Sequence, residues 1–134
     1  MTQGNPIAGA QPLDAAPRVV VVGTCASGKS SLVAGLKQAG VVATAVGQEH
    51  SAVRDLWQRS SPTHVIVLVT DVETIRQRRQ DPSWPHWLFE EQTARLASAR
   101  EGATLTIDTR SIGPDEVLRL TLAHLGVDTD ESPT

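Results

Sequence analysis

Residues Arg18–Ser30, RVVVVGTCASGKS, decide the fold. The opening Arg18–Val22 is β-branched throughout after its arginine and shows no polar alternation. A strand with one wet face alternates, so this run describes a strand buried on both faces, as in a parallel sheet. From Lys29 to about Ala39 the period changes. Leu32, Val33 and Leu36 fall on one stripe of a helix, and Gly40 caps its end. A glycine-bounded loop, Gly23 to Gly28, joins the buried strand to the helix.

The same alternation continues outward. Val41–Val46 is predicted as a second strand, and Ala52–Arg59 as a short helix burying Val53, Leu56 and Trp57, with Ser51 as its N-cap. The sequence Ser60-Ser61-Pro62 stops that helix. His64–Val69 is a third apolar strand. A helix from about Val72 to Gln80 follows, with Thr70-x-x-Glu73 as its capping box. Asp81–Pro85 breaks the chain with two prolines, and a long helix from about Trp87 to Arg100 ends at Gly102. Thr104–Ile107 is the fourth strand, and Pro114–Leu125 the last helix, with Pro in its first turn and Gly126 as its stop.

This pattern predicts a doubly wound α/β three-layer sandwich around a four-stranded parallel sheet. If the first strand is central, right-handed crossovers give the order 41–46, 18–22, 64–69, 104–107. Residues 18–126 make the single domain. Residues 1–17, rich in Pro, Gly, Ala and Gln, and the acidic residues 127–134 are expected to be disordered tails.

Composition narrows the function. All 12 basic residues lie between Arg18 and Arg119, whereas four of the 15 acids lie outside residues 18–126, so that segment carries one net positive charge. It gives no electrostatic reason to expect nucleic-acid binding. The single cysteine, Cys25, excludes an intramolecular disulfide and suits a reducing cytosol. The first 17 residues lack a basic start and an apolar core, so no signal peptide is expected. No apolar run reaches membrane-spanning length, and a cytoplasmic protein is the expectation.

The loop itself carries chemistry. Gly23-Thr24-Cys25-Ala26-Ser27-Gly28-Lys29-Ser30 matches G-x-x-x-x-G-K-[ST] at every fixed position. Its N–H groups, at the positive end of a helix, form a cradle for phosphate oxygens. Lys29 supplies a point charge for the β- and γ-phosphates, and the Ser30 hydroxyl a ligand for Mg²⁺. Ser31 is counted with the nucleotide-binding set. Lys29, pointing into this site, is expected to be dispensable for the fold.

With this motif the chain resembles the P-loop NTPases. Downstream it resembles small kinases of the shikimate, adenylate and cytidylate kinase type across about residues 18–125. Such kinases have a strand ending in Asp, an arginine-bearing helix, a mobile lid and a further helix. The matching residues are HVIVLVTD (64–71), Thr74–Arg79, Gln80–His86 and Trp87–Arg100. The resemblance implies ATP, or another NTP, with Mg²⁺, and phosphoryl transfer to a small-molecule or nucleoside acceptor. It also implies that Arg78 or Arg79 closes over the γ-phosphate with the lid. The chain departs from the pattern in having four strands, with no Asp closing 41–46. Thr44-x-x-Gly47-Gln48-Glu49 is similar to the switch segment of Ras-like GTPases, but no N-K-x-D motif is present, which favours ATP over GTP. The alternatives are a GTPase- or ATPase-like switch and a nucleotide-binding module without turnover.

Further candidates follow from position. Glu49 would hold Mg²⁺ or its water, and Gln48 or His50 would orient a nucleophile, because all three follow a strand at its carboxyl end. The alternative is a polar loop. Asp71 is either a metal-associated acid or a residue of a helix's first turn. Arg76, Arg78 and Arg79 are lid arginines or a solvated helix face. Trp84 and Trp87 are an acceptor wall or anchors of the lid. Arg110, with Ser111, follows the last strand where a base would stack on its guanidinium.

Overall fold

Four strands pair in parallel in the order β2-β1-β3-β4. They are β1 (Arg18–Gly23), β2 (Val42–Ala45), β3 (His64–Val69) and β4 (Leu105–Asp108). The computed structural model describes residues 17–127. Of the tails expected at 1–17 and 127–134, residues 1–16 and 128–134 lie outside the described residues. Val127, assigned to the second tail, is described and packs partly buried against the core.

Register explains why the β1 run has no polar alternation. Val20 lies opposite Thr44 on one side and Val65 on the other, and Ile66 lies opposite Leu105. Both faces of β1 are covered. Val19 and Val21 pack with α1 (Lys29–Gln38) and α5 (Pro114–Leu125) through Leu32, Leu36, Val117 and Leu122. Val20 and Val22 pack on the other face with Trp57, Leu96 and Ala99. Helices therefore flank both sides of the sheet, as the alternation of elements predicts. Among the described residues no helix is long and apolar enough to cross a membrane.

Three local expectations are corrected. The first is the helix at Ala52–Arg59, of which only a short 3-10 turn, Leu56–Gln58, forms, with another such turn, Gln48–His50, preceding it. The fully buried Gln48 side chain donates through Nε2 to Val53 O at 2.7 Å and accepts the Trp57 N–H at 3.0 Å. It thereby satisfies backbone groups that a helix would otherwise have paired. Val53 is 44% exposed, whereas Trp57 is buried and its Nε1 donates to Ser98 Oγ at 3.1 Å. Ser51 accepts the Val53 N–H and starts no helix.

The second correction moves the cap of α2 (Val72–Arg79) by one residue. Asp71 is extended, and its Oδ1 accepts the Thr74 N–H at 2.8 Å. Thr70 directly follows the strand, and its buried hydroxyl finds no partner among the described residues. The third concerns the long helix, which is two: α3 (His86–Arg95) and α4 (Ala97–Glu101). At Leu96 (φ −90°, ψ −3°) the chain turns, and its N–H faces both Gln92 O and Thr93 O. Leu96 and Ala99 then reach the sheet while Gln92 points elsewhere.

The shifted cap has a testable consequence. Hydrogen bonding from Thr74 holds the Asp71 carboxyl below its ordinary value of 3.8. A depressed carboxyl contributes stability above its unfolded pKa and loses it as pH falls through the folded one. Asp71→Ala should cost about 1 kcal/mol in urea unfolding at pH 7, and the gap to the parent should close below about pH 3. Thr70→Val should be neutral or mildly stabilising. A loss of about 1 kcal/mol there would restore the cap to Thr70.

Candidate functional site

The loop from Gly23 to Ser30 sits at the carboxyl ends of β1 and β3, and its shape follows from close approaches. A Cβ on Gly23 would stand 2.7 Å from the Leu68 carbonyl oxygen and 2.5 Å from Ser27 Oγ, so only glycine lets the chain turn there. Gly28 has φ 104°, a left-handed conformation that L side chains rarely adopt, and it opens α1 without a side-chain cap. Ala26 is also left-handed, at φ 56°, which marks strain in this loop. The first-turn N–H groups of α1 have no intrahelical acceptor. They face the shallow cleft lined by Ala26, Gly28 and Ser31.

Lys29 is held from three directions. Its Nζ donates to Gly23 O at 2.8 Å and to Thr24 O at 3.0 Å, and pairs with Glu49 Oε2 at 2.8 Å. The Lys29 and Glu49 side chains are 15% and 4% exposed, so this is a buried ion pair. Glu49 comes from the 3-10 turn after β2, and its second oxygen, Oε1, is buried without a partner among the described residues. His50 Nε2 lies 3.4 Å from Glu49 Oε2 and is largely exposed. Gln48, offered as a nucleophile-orienting residue, is turned inward onto Val53 and Trp57.

Three distant residues clamp the rest of the loop. Gln92, fully buried on α3, accepts the Cys25 N–H at 3.0 Å and donates to Cys25 Sγ at 3.1 Å. Thr109, also buried, donates to Ser27 O at 2.9 Å. Arg78 reaches over from α2 and donates to Ala26 O at 2.8 Å and to the Thr109 carbonyl. Arg78 thus reaches the backbone of the loop. Arg79 is exposed and takes no part in the loop's hydrogen bonds. Arg76 instead donates to Trp84 O at 2.8 Å and pairs with Glu73.

That last bond bears on the segment predicted as a mobile lid. Trp84 is buried, its N–H donates to Asp81 O at 3.1 Å, and Asp81 Oδ1 accepts from Ser83. The segment is therefore anchored, because a buried indole outweighs the looseness of two prolines. Trp87 is 64% exposed.

Between Arg78 and the start of α5 lies a cleft of about 530 Å³, continuous with the loop through Ala26, Gly28 and Ser31. Ile112, Pro114 and Val117 give it an apolar wall. Arg110, expected to stack on a base here, does not line it. Its guanidinium is forked onto Asp108, with Nε 2.8 Å from Oδ2, and lies 3.7 Å from Asp71. Hydrogen bonds from Arg110 hold the Asp108 carboxyl below its ordinary range. Asp71 is thus engaged as the N-cap of α2 and by an arginine, one position before the first turn in which it was expected. His64 and His124 meet edge to face at 5.8 Å, in a contact between their own rings.

Sequence reading missed Gln92, Thr109, Ile112, Pro114 and Val117. One signal existed for Gln92. It interrupts an otherwise apolar stripe, Leu88–Gln92–Leu96–Ala99, and a polar residue on an inward stripe needs a buried partner.

No protein-family model matches the chain, and no curated protein matches it. Among solved structures, a sugar kinase from Janibacter sp. HTCC2649, determined unliganded, is similar at TM-score 0.56 and 17% identity. The match covers 90% of this chain and 100% of that one. At that identity the likeness shows a shared fold alone.

The ion pair gives Lys29 a structural contact beyond the expected phosphate site. Lys29→Ala should lower unfolding free energy by about 3 kcal/mol, because it leaves the Glu49 carboxylate buried and unpaired. The double variant Lys29→Ala/Glu49→Ala should recover part of that loss. Urea denaturation of the two variants checks this, and a cost under about 0.5 kcal/mol for Lys29→Ala would remove the pair from the fold's support.

Proposed function

We propose that this chain is a P-loop protein that binds Mg·ATP and transfers its γ-phosphoryl group to a small acceptor. The observation that carries the reading is the uncapped N-terminus of α1, opening beside the Lys29–Glu49 pair in a loop of the G-x-x-x-x-G-K-[ST] pattern. The N–H groups of Gly28–Ser31 would receive the β- and γ-phosphate oxygens. Lys29 would exchange its loop carbonyls for those oxygens while keeping Glu49. The cleft walled by Ile112, Pro114 and Val117 is large enough for a nucleoside, and Arg78 forms its rim. Arg78 therefore serves the nucleotide, and Arg79 has no role in the site.

The residues present fit a magnesium ion. Glu49 Oε1 is a buried oxygen without a partner, and Ser30 stands in the first turn of α1. Mg²⁺ commonly takes one or two protein oxygens and completes its shell with phosphate and water, so Ser30 and Glu49 would hold it. When bound, the ion neutralises charge on the transferring phosphate. In the transfer, an acceptor hydroxyl oxygen forms a bond to the γ-phosphorus as the bond to the β-phosphate oxygen breaks. ADP leaves, and the hydroxyl proton passes to His50 or to water. The protein's part is to position the two reactants and to exclude competing water.

Gln48 weighs against the switch alternative. A water-orienting glutamine needs a free amide, and this one is fully buried with both ends hydrogen-bonded. Adenine preference follows from the absence of an N-K-x-D segment.

The test is a thermal-shift and calorimetry series with ATP, GTP, CTP and their diphosphates, with and without Mg²⁺. Mg·ATP at 100 times its Kd should add about 2.7 kcal/mol of stability. Ser30→Ala should remove most of the Mg²⁺ dependence while leaving the unliganded melting temperature near that of the parent. A chain that binds no nucleotide, or binds GTP at least tenfold tighter than ATP, contradicts the proposal.

A further inference from the structure

Two histidines meet at the end of the sheet opposite the loop. His64 is the first residue of β3, and His124 stands in the last turn of α5. Their rings lie edge to face, 5.8 Å apart between centroids and 87° between planes. His64 is half-buried and His124 is exposed, so the pair is reached from solvent without opening the fold. The proposed nucleotide chemistry uses neither ring.

The surroundings prepare His64 for a lone-pair role. Its Nδ1 lies 2.9 Å from Thr63 Oγ1. That hydroxyl accepts the Arg18 N–H at 2.8 Å and gives its own proton to Arg18 O at 3.1 Å, so it is able to accept an Nδ1–H as well. A bond of this kind fixes the tautomer and leaves Nε2 with its lone pair, as outer partners do for metal-ligating histidines. Burial first, and the neighbouring His124 second, hold the His64 imidazole below its ordinary value of 6.5, so it is predominantly neutral at pH 7. His124 adds a second imidazole at the carboxyl end of α5, where the helix dipole favours a cation.

We propose that His64 and His124 form a binding site for a divalent transition metal of the Zn²⁺, Ni²⁺ and Cu²⁺ class, bridging β3 and α5. A metal–nitrogen bond of about 2.0–2.1 Å puts the ion roughly 3 Å from each ring centre, so two tetrahedral imidazole ligands have centroids about 5 Å apart. The observed 5.8 Å is within a small side-chain rotation of that spacing. Among the described residues no group of three His, Cys, Asp or Glu is placed to hold a metal, so water completes the shell and the ion exchanges freely. Imidazole suits these ions and not Mg²⁺, which separates the site chemically from Ser30 and Glu49. The bridge ties the far end of α5, whose first turns wall the proposed base cleft, to the start of β3. It does not rest on the nucleotide reading.

The experiment adds Zn²⁺ or Ni²⁺ to the full chain without nucleotide, with Mg²⁺ as the contrast, and follows calorimetry and the NMR signals of the histidine rings. Zn²⁺ should move the His64 and His124 ring signals together at the same concentration, and Mg²⁺ should leave them unmoved. His64→Phe and His124→Phe keep an aromatic ring at the contact. Each should weaken Ni²⁺ by about tenfold or more, and the double variant no further, because either change leaves a single imidazole. His86→Ala should bind Ni²⁺ like the parent. Lowering the pH from about 7.5 to about 5.5 should weaken binding by about tenfold or more, since both rings must be neutral to ligate. Ring signals that neither Zn²⁺ nor Ni²⁺ moves overturn the site, whether or not the variants fold. Unchanged Ni²⁺ affinity in both Phe variants overturns it too, and a loss in His124→Phe with none in His64→Phe reduces it to one exposed imidazole and overturns the bridge.

Discussion

The Lys29–Glu49 ion pair is the contact on which the remaining geometry depends. Removing both charges from water costs several kcal/mol each, and the pair is tolerable because Lys29 finds three acceptors at 2.8–3.0 Å. Two of these are carbonyls of its own loop, so the ammonium draws the loop into a ring around itself. The third comes from the far end of β2 and needs its own support. Glu49 is presented by a 3-10 turn that Gln48 holds shut, and Gln48 is held by the backbone of Val53 and Trp57. Trp57 is fixed by Ser98 and by the apolar layer beneath β1 and β3. A chain of dependence thus runs from one ammonium to the second hydrophobic cluster.

The loop is rigid for reasons that lie outside it. Gln92, Thr109 and Arg78 hold Cys25, Ser27 and Ala26 from three elements that follow it by at least 50 residues. Each takes a backbone group on the outer side of the loop. The donors at the start of α1 stay open toward the shallow cleft at Ala26–Ser31. Such an arrangement holds the dipoles of the loop in a fixed orientation, the condition under which the proposed phosphate binding would gain most from them. The strain at Ala26 is consistent with a loop whose form is imposed by its neighbours.

Charge is distributed around this centre unevenly. Arg78 caps the apolar cleft, Arg110 is neutralised by Asp108 and Asp71, and Arg54 and Arg95 line a second cleft with Glu91. Equal numbers of charges could have given a bland surface. The pairing differs in tightness, since Arg110 meets Asp108 at 2.7 Å whereas Arg54 meets Glu101 and Asp55 only at 3.7 and 4.0 Å.

The sequence by itself determined the parallel sheet, its strand order, the loop pattern and the start and end of α5. These are set by local period, β-branched runs, and the positions of Gly and Pro, which act over a few residues. Only the tertiary structure decided that Asp71 rather than Thr70 caps α2, that residues 52–59 form no regular α-helix, and that the long helix turns at Leu96. It alone decided that Gln48 and Gln92 face inward as hydrogen-bonding struts, that Arg78 reaches the loop while Arg79 does not, and that Arg110 turns to Asp108. In each case the competing states differ by one or two hydrogen bonds, each about 1 kcal/mol. Which state wins depends on partners dozens of residues away, and no local pattern encodes them.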